Sequence, residues 1–431
     1  MPIVRPFRGL LYDPAVVGSI ESVVAPPYDV IGSDEQRRLY EASPYNVVRL
    51  DLARDRDRYG SASRTFAEWR ERRVLVRDRE LVFYLYAQRH RLKSGDEHER
   101  FGFFARLRLE EFASGKVLPH EKTLASAKAD RLALQRACRA NLSSIFGLYA
   151  ASGFSLAAGA AQAIGAPAWA DFRDGAGVRH RLWRLADRAL QELLQHQLES
   201  RAVYIADGHH RYETALRYRD EMRAETGRRS GEEPFDFVLA YLVNMDEPGL
   251  VVLPTHRLLR ELSMPPTELI ARLRGFFRIE EVPRTAGAEG LVDRMRPAAG
   301  ERRIGIALRG EPRFFVLVAR DGDNDARLRG STALRRLDVT LLHGLVLEGS
   351  DSVLGLDAHR EAEAGRLSYT KDEQEAVARV ESGEMAASFL LNATRVDEVR
   401  AVSEAGETMP EKSTYFHPKV ATGLVFNPLE D

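Results

Sequence analysis

A short apolar run that stops at an Asp-Gly pair and restarts as a helix constrains this chain more than any other feature. Residues 202–205 read as a short buried strand. Asp207-Gly208-His209-His210-Arg211 follow as a tight polar turn, and residues 212–225 carry helical periodicity. A strand–turn–helix unit presents backbone N–H groups and the positive end of the helix dipole at one point, which attracts an anion. Gly208 lets the backbone turn or approach a ligand closely. Arg211 offers a planar fork of donors suited to phosphate oxygens. His209 and His210 can donate hydrogen bonds or move protons near neutral pH. Asp207 can hold a divalent cation that bridges phosphates. Two other readings stay open here. Asp207, His209, His210 and Glu213 could bind a transition metal directly, as in a metal-dependent hydrolase, since His210 and Glu213 are spaced to share a helix face. The turn could also be a plain helix start with its histidines satisfied by the core.

Mixed α and β patterns surround this unit. A turn signature, Lys93-Ser94-Gly95-Asp96, separates strand-like runs at 81–92 and 101–109 and predicts a hairpin. In the second run Phe103, Ala105, Leu107 and Leu109 alternate with Phe104, Arg106 and Arg108, giving one face that is polar at its end. Residues 126–141 read as a helix with Leu132, Leu134, Ala137 and Cys138 on one side, and 144–149 as a strand. Residues 153–177 are rich in Ala and Gly and read as loop, at least in part. Asp187 is the expected N-cap of a helix whose apolar face is Leu190, Leu193, Leu194 and Leu198. Strands are expected at 235–243, 250–253, 304–308, 314–318 and 387–391, and helices from Ser33 and over 268–277, 337–347 and 371–381.

The chain has 431 residues, too many for one small core. No internal repeat or long linker stands out, and the expected division is 1–115, 116–265 and 266–431. The expected class is α+β (mixed α/β), with a mixed sheet and the site at strand-to-helix turns. A formal net charge of −1 argues against a nucleic-acid or anionic-membrane partner. The single Cys138 excludes an intramolecular disulfide and a zinc site built from several cysteines. Without a signal peptide or a span-length apolar run, a cytoplasmic enzyme or binding protein is expected. The oligomeric state stays open, with a homodimer among the options.

Two further polar clusters carry chemistry. In Leu118-Pro119-His120-Glu121-Lys122-Thr123, a carboxylate such as Glu121 could take or orient the proton of an acceptor hydroxyl; a surface loop would look the same. Met409 to Lys419 gathers Lys412, Ser413, Thr414, His417 and Lys419 around Tyr415 and Phe416. Such a set could grip phosphates and stack a base, or form an ordered surface arm. Pro26-Pro27-Tyr28-Asp29-Val30 and Pro254-Thr255-His256-Arg257 are similar polar turns, each read singly as structural.

At these four segments — Ala25 to Val30, Leu118 to Leu124, Ala206 to Ala215 and Met409 to Lys419 — the sequence resembles the family catalogued as domain of unknown function 1015, over nearly the whole chain and in the family's order. A more distant likeness joins the Pro-His-Glu and Asp-Gly-His-His-Arg elements to the free L-serine kinases of the ParB/sulfiredoxin superfamily. That resemblance implies a ParB/sulfiredoxin-like core with large N-terminal, inserted and C-terminal elaborations. It implies an ATP-dependent kinase that makes O-phospho-L-serine from free L-serine. Glu121 would be the base, and His120 would help position the substrate. Asp207, Gly208, His209, His210 and Arg211 would form the phosphate and Mg2+ site, with Asp207 as the metal ligand. The partition-protein branch of the same superfamily suggests an alternative, a CTP- or ATP-binding regulatory protein. The absence of a basic stripe counts against its DNA-binding form.

Overall fold

The computed structural model describes residues 1–430 apart from 124, 297–299 and 321–323. Leu124, which closes the Leu118 to Leu124 motif, therefore lies outside the described residues. The chain forms two compact units. The first contains residues 1–119, 123–251 and 418–431; the second contains 120–122 and 252–417. Helices and strands are mixed in both, as the α+β expectation requires.

The first unit is built on a mixed sheet. Its strands run in the spatial order Val117–Leu118, Val203–Asp207, Ile145–Tyr149, Phe237–Asn244, Glu97–Arg108, Phe83–Arg91, Arg179–Leu185 and Ala170–Arg173, with Val4–Arg5 also paired to Glu97–Arg108. Two of these pairings are parallel: Val203–Asp207 with Val117–Leu118, and Phe237–Asn244 with Ile145–Tyr149. The expected hairpin is present, with Tyr84 opposite Phe104 and Arg91 opposite Glu97. Its second strand starts four residues before the expected Phe101 and is buried on both faces from Arg100 to Ala105. One face packs Phe101, Phe103, Ala105 and Leu107 into the main core with Phe83, Leu85, Ile205 and Leu242. The other face is covered by the chain's last residues. Arg106 Nε donates to Asn427 Oδ1 at 2.7 Å, Gln88 Nε2 donates to the Lys419 carbonyl at 2.9 Å, and the buried Arg100 donates to the Pro418 carbonyl at 2.7 Å.

Helix Arg188–Glu199 begins as expected: Asp187 accepts from the backbone N–H groups of Ala189 and Leu190. Leu190, Leu194 and Leu198 are buried, each by about 1.5–3 kcal/mol of apolar transfer. Leu193 is turned out to solvent, because the i, i+4, i+8 stripe leaves it on the flank. The stretch 153–177 is more ordered than a loop, holding short helices Leu156–Gly159 and Ala161–Gly165 and the edge strand Ala170–Arg173.

The second unit has an antiparallel sheet in the order Phe277–Pro283, Arg313–Ala319, Arg303–Leu308, Ala387–Leu390, His256–Leu259 and Leu367–Thr370. Leu291 and Met295 from helix Gly287–Met295, and Ala376, Val377 and Val380 from helix Glu373–Glu381, fill its core against Leu258, Phe314, Val316 and Leu390. The helix expected over 268–277 ends at Leu273. Gly275 weakens it, and Phe277 pairs with Ala319 instead, so sheet pairing overrides local periodicity. Among the described residues, no helix is long and apolar enough to cross a membrane.

Candidate functional site

The turn at Asp207 is built as the sequence implies. Strand Val203–Asp207 is buried up to Ala206, and a bulge between Ile205 and Asp207 breaks its register with Ile145–Tyr149. Gly208 then takes φ +89°, a left-handed value that any side chain would oppose, and caps helix His209–Thr226 without a side-chain hydrogen bond. The helix starts three residues earlier than its apolar pattern suggests, since the pattern only becomes visible once Tyr212 turns inward.

Around this turn the first unit collects charge. Arg211 folds back over Gly208, where a Cβ would meet its guanidinium at 3.0 Å. Its Nη2 donates to Asp207 Oδ2 at 2.5 Å, and its Nη1 donates to the Ser144 carbonyl. Lys419, carried in by the C-terminal segment, donates from Nζ to the other Asp207 oxygen, Oδ1. Burial pushes the Asp207 carboxyl up, but the charges of Lys419 and Arg211, with a smaller pull from His209, outweigh it and hold the group well below the usual carboxylate range. His209 is buried and His210 is half-buried.

The Pro26 to Val30 turn belongs to the same neighbourhood. Arg131, from helix Ala125–Cys138, lies 4.0 Å over the Tyr28 ring and donates from Nη1 to Asp51 Oδ1 at 2.7 Å. Burial pushes the Tyr28 hydroxyl up to about 12 against the pull of Arg211 and Arg131. A water-sized cavity of about 40 Å³, lined among others by Arg211, Thr214, Arg131 and Asp51, runs beside these groups. In the sequence alone, Tyr28 belongs to a polar turn and Arg131 to a helical run. Nothing local distinguishes them, because their meeting is a long-range event.

The second unit holds His120, Glu121, Lys412, Ser413 and Thr414. His120 is fully buried, with Nε2 hydrogen-bonded to Thr414 Oγ1 at 2.9 Å, and its carbonyl accepts from Met409 N at 2.8 Å. Glu121 is half-buried, and its Oε1 accepts from the Lys412 backbone N–H at 3.0 Å; Lys412 sits at φ +56°. Ser413 Oγ donates to the Pro410 carbonyl. The polar turn at Pro254 to Arg257 supplies a residue the sequence passed over. Arg257 is completely buried, donating to the carbonyls of Thr255, Glu411 and Lys412 and, at 3.3 Å, to His343 Nε2. Burial brings it down to about 10. His343 Nδ1 in turn pairs with Glu348 Oε2 at 2.7 Å. An arginine closing a short apolar run is the only signal that could have flagged this chain of contacts.

The site residues therefore divide. Asp207, Gly208, His209, His210, Arg211 and Lys419 lie in the first unit; His120, Glu121 and Lys412 to Thr414 lie in the second. The 409–419 motif, one cluster in sequence, is split at Pro418. The metal expectations meet a specific obstacle. Both Asp207 oxygens already carry cationic partners, so a magnesium ion there would have to displace Arg211 or Lys419, and one carboxylate is not a donor set for a resident divalent ion. Glu213 is engaged by Lys128 at 2.7 Å and Thr123 at 2.8 Å. Among the described residues, no group of three or more His, Cys, Asp or Glu side chains is placed to hold a metal. The direct-metal alternative at His209, His210 and Glu213 would have to draw Glu213 away from Lys128 and Thr123.

The fold is α+β, and its Asp207 turn gathers an arginine and a lysine on one carboxylate at a helix start. The chain belongs to the family described as "Protein of unknown function (DUF1015)", which matches residues 4–340. No curated protein matches it. Solved structures that match at a distance include a conserved hypothetical protein from Pyrococcus furiosus (13% identity, TM-score 0.35, covering 74% of this chain and 92% of that one). A free serine kinase in complex with AMP matches at 13% identity and TM-score 0.36, over 73% and 86% of the two chains. SbnI with C-terminal truncation, from Staphylococcus aureus, matches at 11% identity and TM-score 0.37, over 76% and 87%. Likenesses this distant carry no assignment.

Proposed function

We propose that the protein is a small-molecule kinase that moves the γ-phosphoryl group of ATP to the hydroxyl of free L-serine, giving O-phospho-L-serine and ADP. The observation that carries the reading is the Asp207 to Arg211 turn: a left-handed glycine at a helix start, with Arg211 and Lys419 both held on one buried carboxylate. Phosphoryl transfer asks a protein mostly for positioning and charge neutralisation. Arg211, Lys419 and the first-turn N–H groups supply that neutralisation for a polyphosphate, and Asp207 holds the two cations in place until it arrives. His209 and His210 serve as donors to the same phosphates. In the transfer, the serine Oγ–P bond forms, the bond from the γ-phosphorus to the bridging oxygen breaks, and ADP leaves with the electron pair. The hydroxyl proton goes to a carboxylate. Glu121 is our candidate for that base, with His120 as a positioning residue; both assignments rest on the motif resemblance.

The test is phosphorus NMR of the purified chain with MgATP and L-serine. Phosphoserine and ADP should appear together in equal amounts. Glu121→Ala should abolish turnover while sparing nucleotide binding, and Arg211→Ala should weaken nucleotide binding itself. No product from folded protein with any of ATP, ADP, GTP or CTP as donor would remove the kinase reading. Nucleotide binding without transfer would point instead to the regulatory alternative.

A further inference from the structure

The second unit contains a cavity of about 540 Å³ that the phosphate turn does not use. Its size is that of a typical small-molecule site, roughly 300–1,000 Å³. At about 30 Å³ per water it has room for some eighteen waters, so a ligand as small as serine would leave most of it wet. Three cationic side chains line it, Lys122, Arg327 and Arg329, and none of them forms an ion pair among the described residues. Three carboxylates line it as well: Glu348, Asp351 and Glu411. Both signs of charge therefore face one cleft. Thr340 adds an independent sign of a missing partner. It lines the cavity, is 9% exposed, and its hydroxyl oxygen is buried without any hydrogen bond. A buried hydroxyl left unsatisfied costs about 1–3 kcal/mol, which a bound polar group would recover. The wall behind it is the π turn His343–Leu347, a local widening of the helix that is frequent at functional sites.

We propose that this cavity binds an amphoteric organic molecule, one that carries a carboxylate and an ammonium group and is larger than a single small amino acid. Lys122, Arg327 and Arg329 take the carboxylate, Glu348 and Asp351 take the ammonium, and Thr340 Oγ1 accepts or donates one further hydrogen bond. The site stands whether or not the phosphate turn serves a kinase.

A matched series on one scaffold tests it: glycyl-L-leucine, its N-acetyl form (anion only), its amide (cation only) and the N-acetyl amide (uncharged). Each is titrated calorimetrically into the full chain without nucleotide. The zwitterion should bind tightest, by about tenfold or more over each derivative, the loss expected of a charge-assisted hydrogen bond. Arg329→Met and Thr340→Val should each weaken the zwitterion several-fold in protein whose circular dichroism is unchanged. Equal binding of the anion-only form overturns the amphoteric assignment. No binding by any of the four, or binding indifferent to both substitutions, overturns the site.

Discussion

Replacing Lys419 by methionine is the sharpest probe of the Asp207 turn. The substitution keeps the length of the side chain and removes its charge. Lys419 and Asp207 side chains are each only 14% exposed, so the pair belongs with buried ion pairs rather than surface ones. Surface pairs are worth about 0–1 kcal/mol, whereas removing one partner of a buried pair costs about 3–5 kcal/mol. Arg211 still holds the second carboxylate oxygen, which favours the lower end, about 3 kcal/mol. The pH dependence follows from the direction of the Asp207 shift. In the parent, the folded-state carboxyl titrates below its unfolded value, so its contribution is present above the unfolded pKa, near about 3.9, and is lost as pH falls toward the folded pKa. In Lys419→Met, burial loses its main opponent and the folded carboxyl moves up. The variant then protonates Asp207 at milder acidity and sheds the buried charge. Urea unfolding of both proteins from about pH 7 down to about pH 4 should therefore show a gap that is widest at neutrality and narrows in acid. A gap below about 1 kcal/mol at neutrality, or one that stays constant with pH, would refute the argument that Lys419 and Arg211 are held on one buried carboxylate.

Asp207→Asn should destabilise the fold yet strengthen binding of inorganic triphosphate, because the two cations no longer have a carboxylate to compete with the phosphates; weaker binding in calorimetry would mean that Asp207 is needed to aim them. Gly208→Ala should cost about 1–2 kcal/mol, since the residue sits at φ +89°, and a thermal midpoint equal to the parent's would show that the turn relaxes. Cys138 is the only cysteine, and burial pushes its thiol up to about 12. Thiol reagent should label it slowly in the native protein and rapidly in urea, and fast native labelling would mean that helix Ala125–Cys138 opens.

What the sequence made legible was whatever is fixed locally. Asp187 caps its helix because an aspartate two residues before a run of helix formers has few other uses. The hairpin follows from a Ser-Gly-Asp turn between two apolar runs. The Asp207 turn follows from a glycine where only a left-handed residue fits. What stayed hidden depends on partners far along the chain. Glu97 to Arg100 fall outside the strand-like run at 101–109 because they are polar. They form strand because they pair with Gln88 to Arg91, and the buried Arg100 is satisfied by the Pro418 carbonyl, 318 positions away, and lies 4.8 Å over the Phe146 ring. Leu193 reads as core because it lies three residues after Leu190 on the helix, yet the inner face runs through Leu190, Leu194 and Leu198 and leaves it exposed.

The candidate site was legible in its residue types and not in its grouping. Spacing treats 409–419 as one cluster, and chemistry favours the same grouping, with two lysines and two hydroxyls around aromatics. The fold gives the segment two different tasks. Thr414 bonds His120, and the Lys412 N–H bonds Glu121, in the second unit. Lys419 completes the charge on Asp207, 212 positions away, in the first. Pro418 marks the change: its carbonyl is fixed by the buried Arg100, and that anchor aims the next side chain at the turn. Lys419 thus reaches the Asp207 turn through its placement by Arg100, a residue with no sequence signal of function. An arginine that is fully buried, with its guanidinium committed to a carbonyl and a glutamine, is a positioning residue for the lysine beside that carbonyl. The sequence could name the cations that suit a phosphate, but only the packing of the last residues across the sheet decides which of them reaches Asp207.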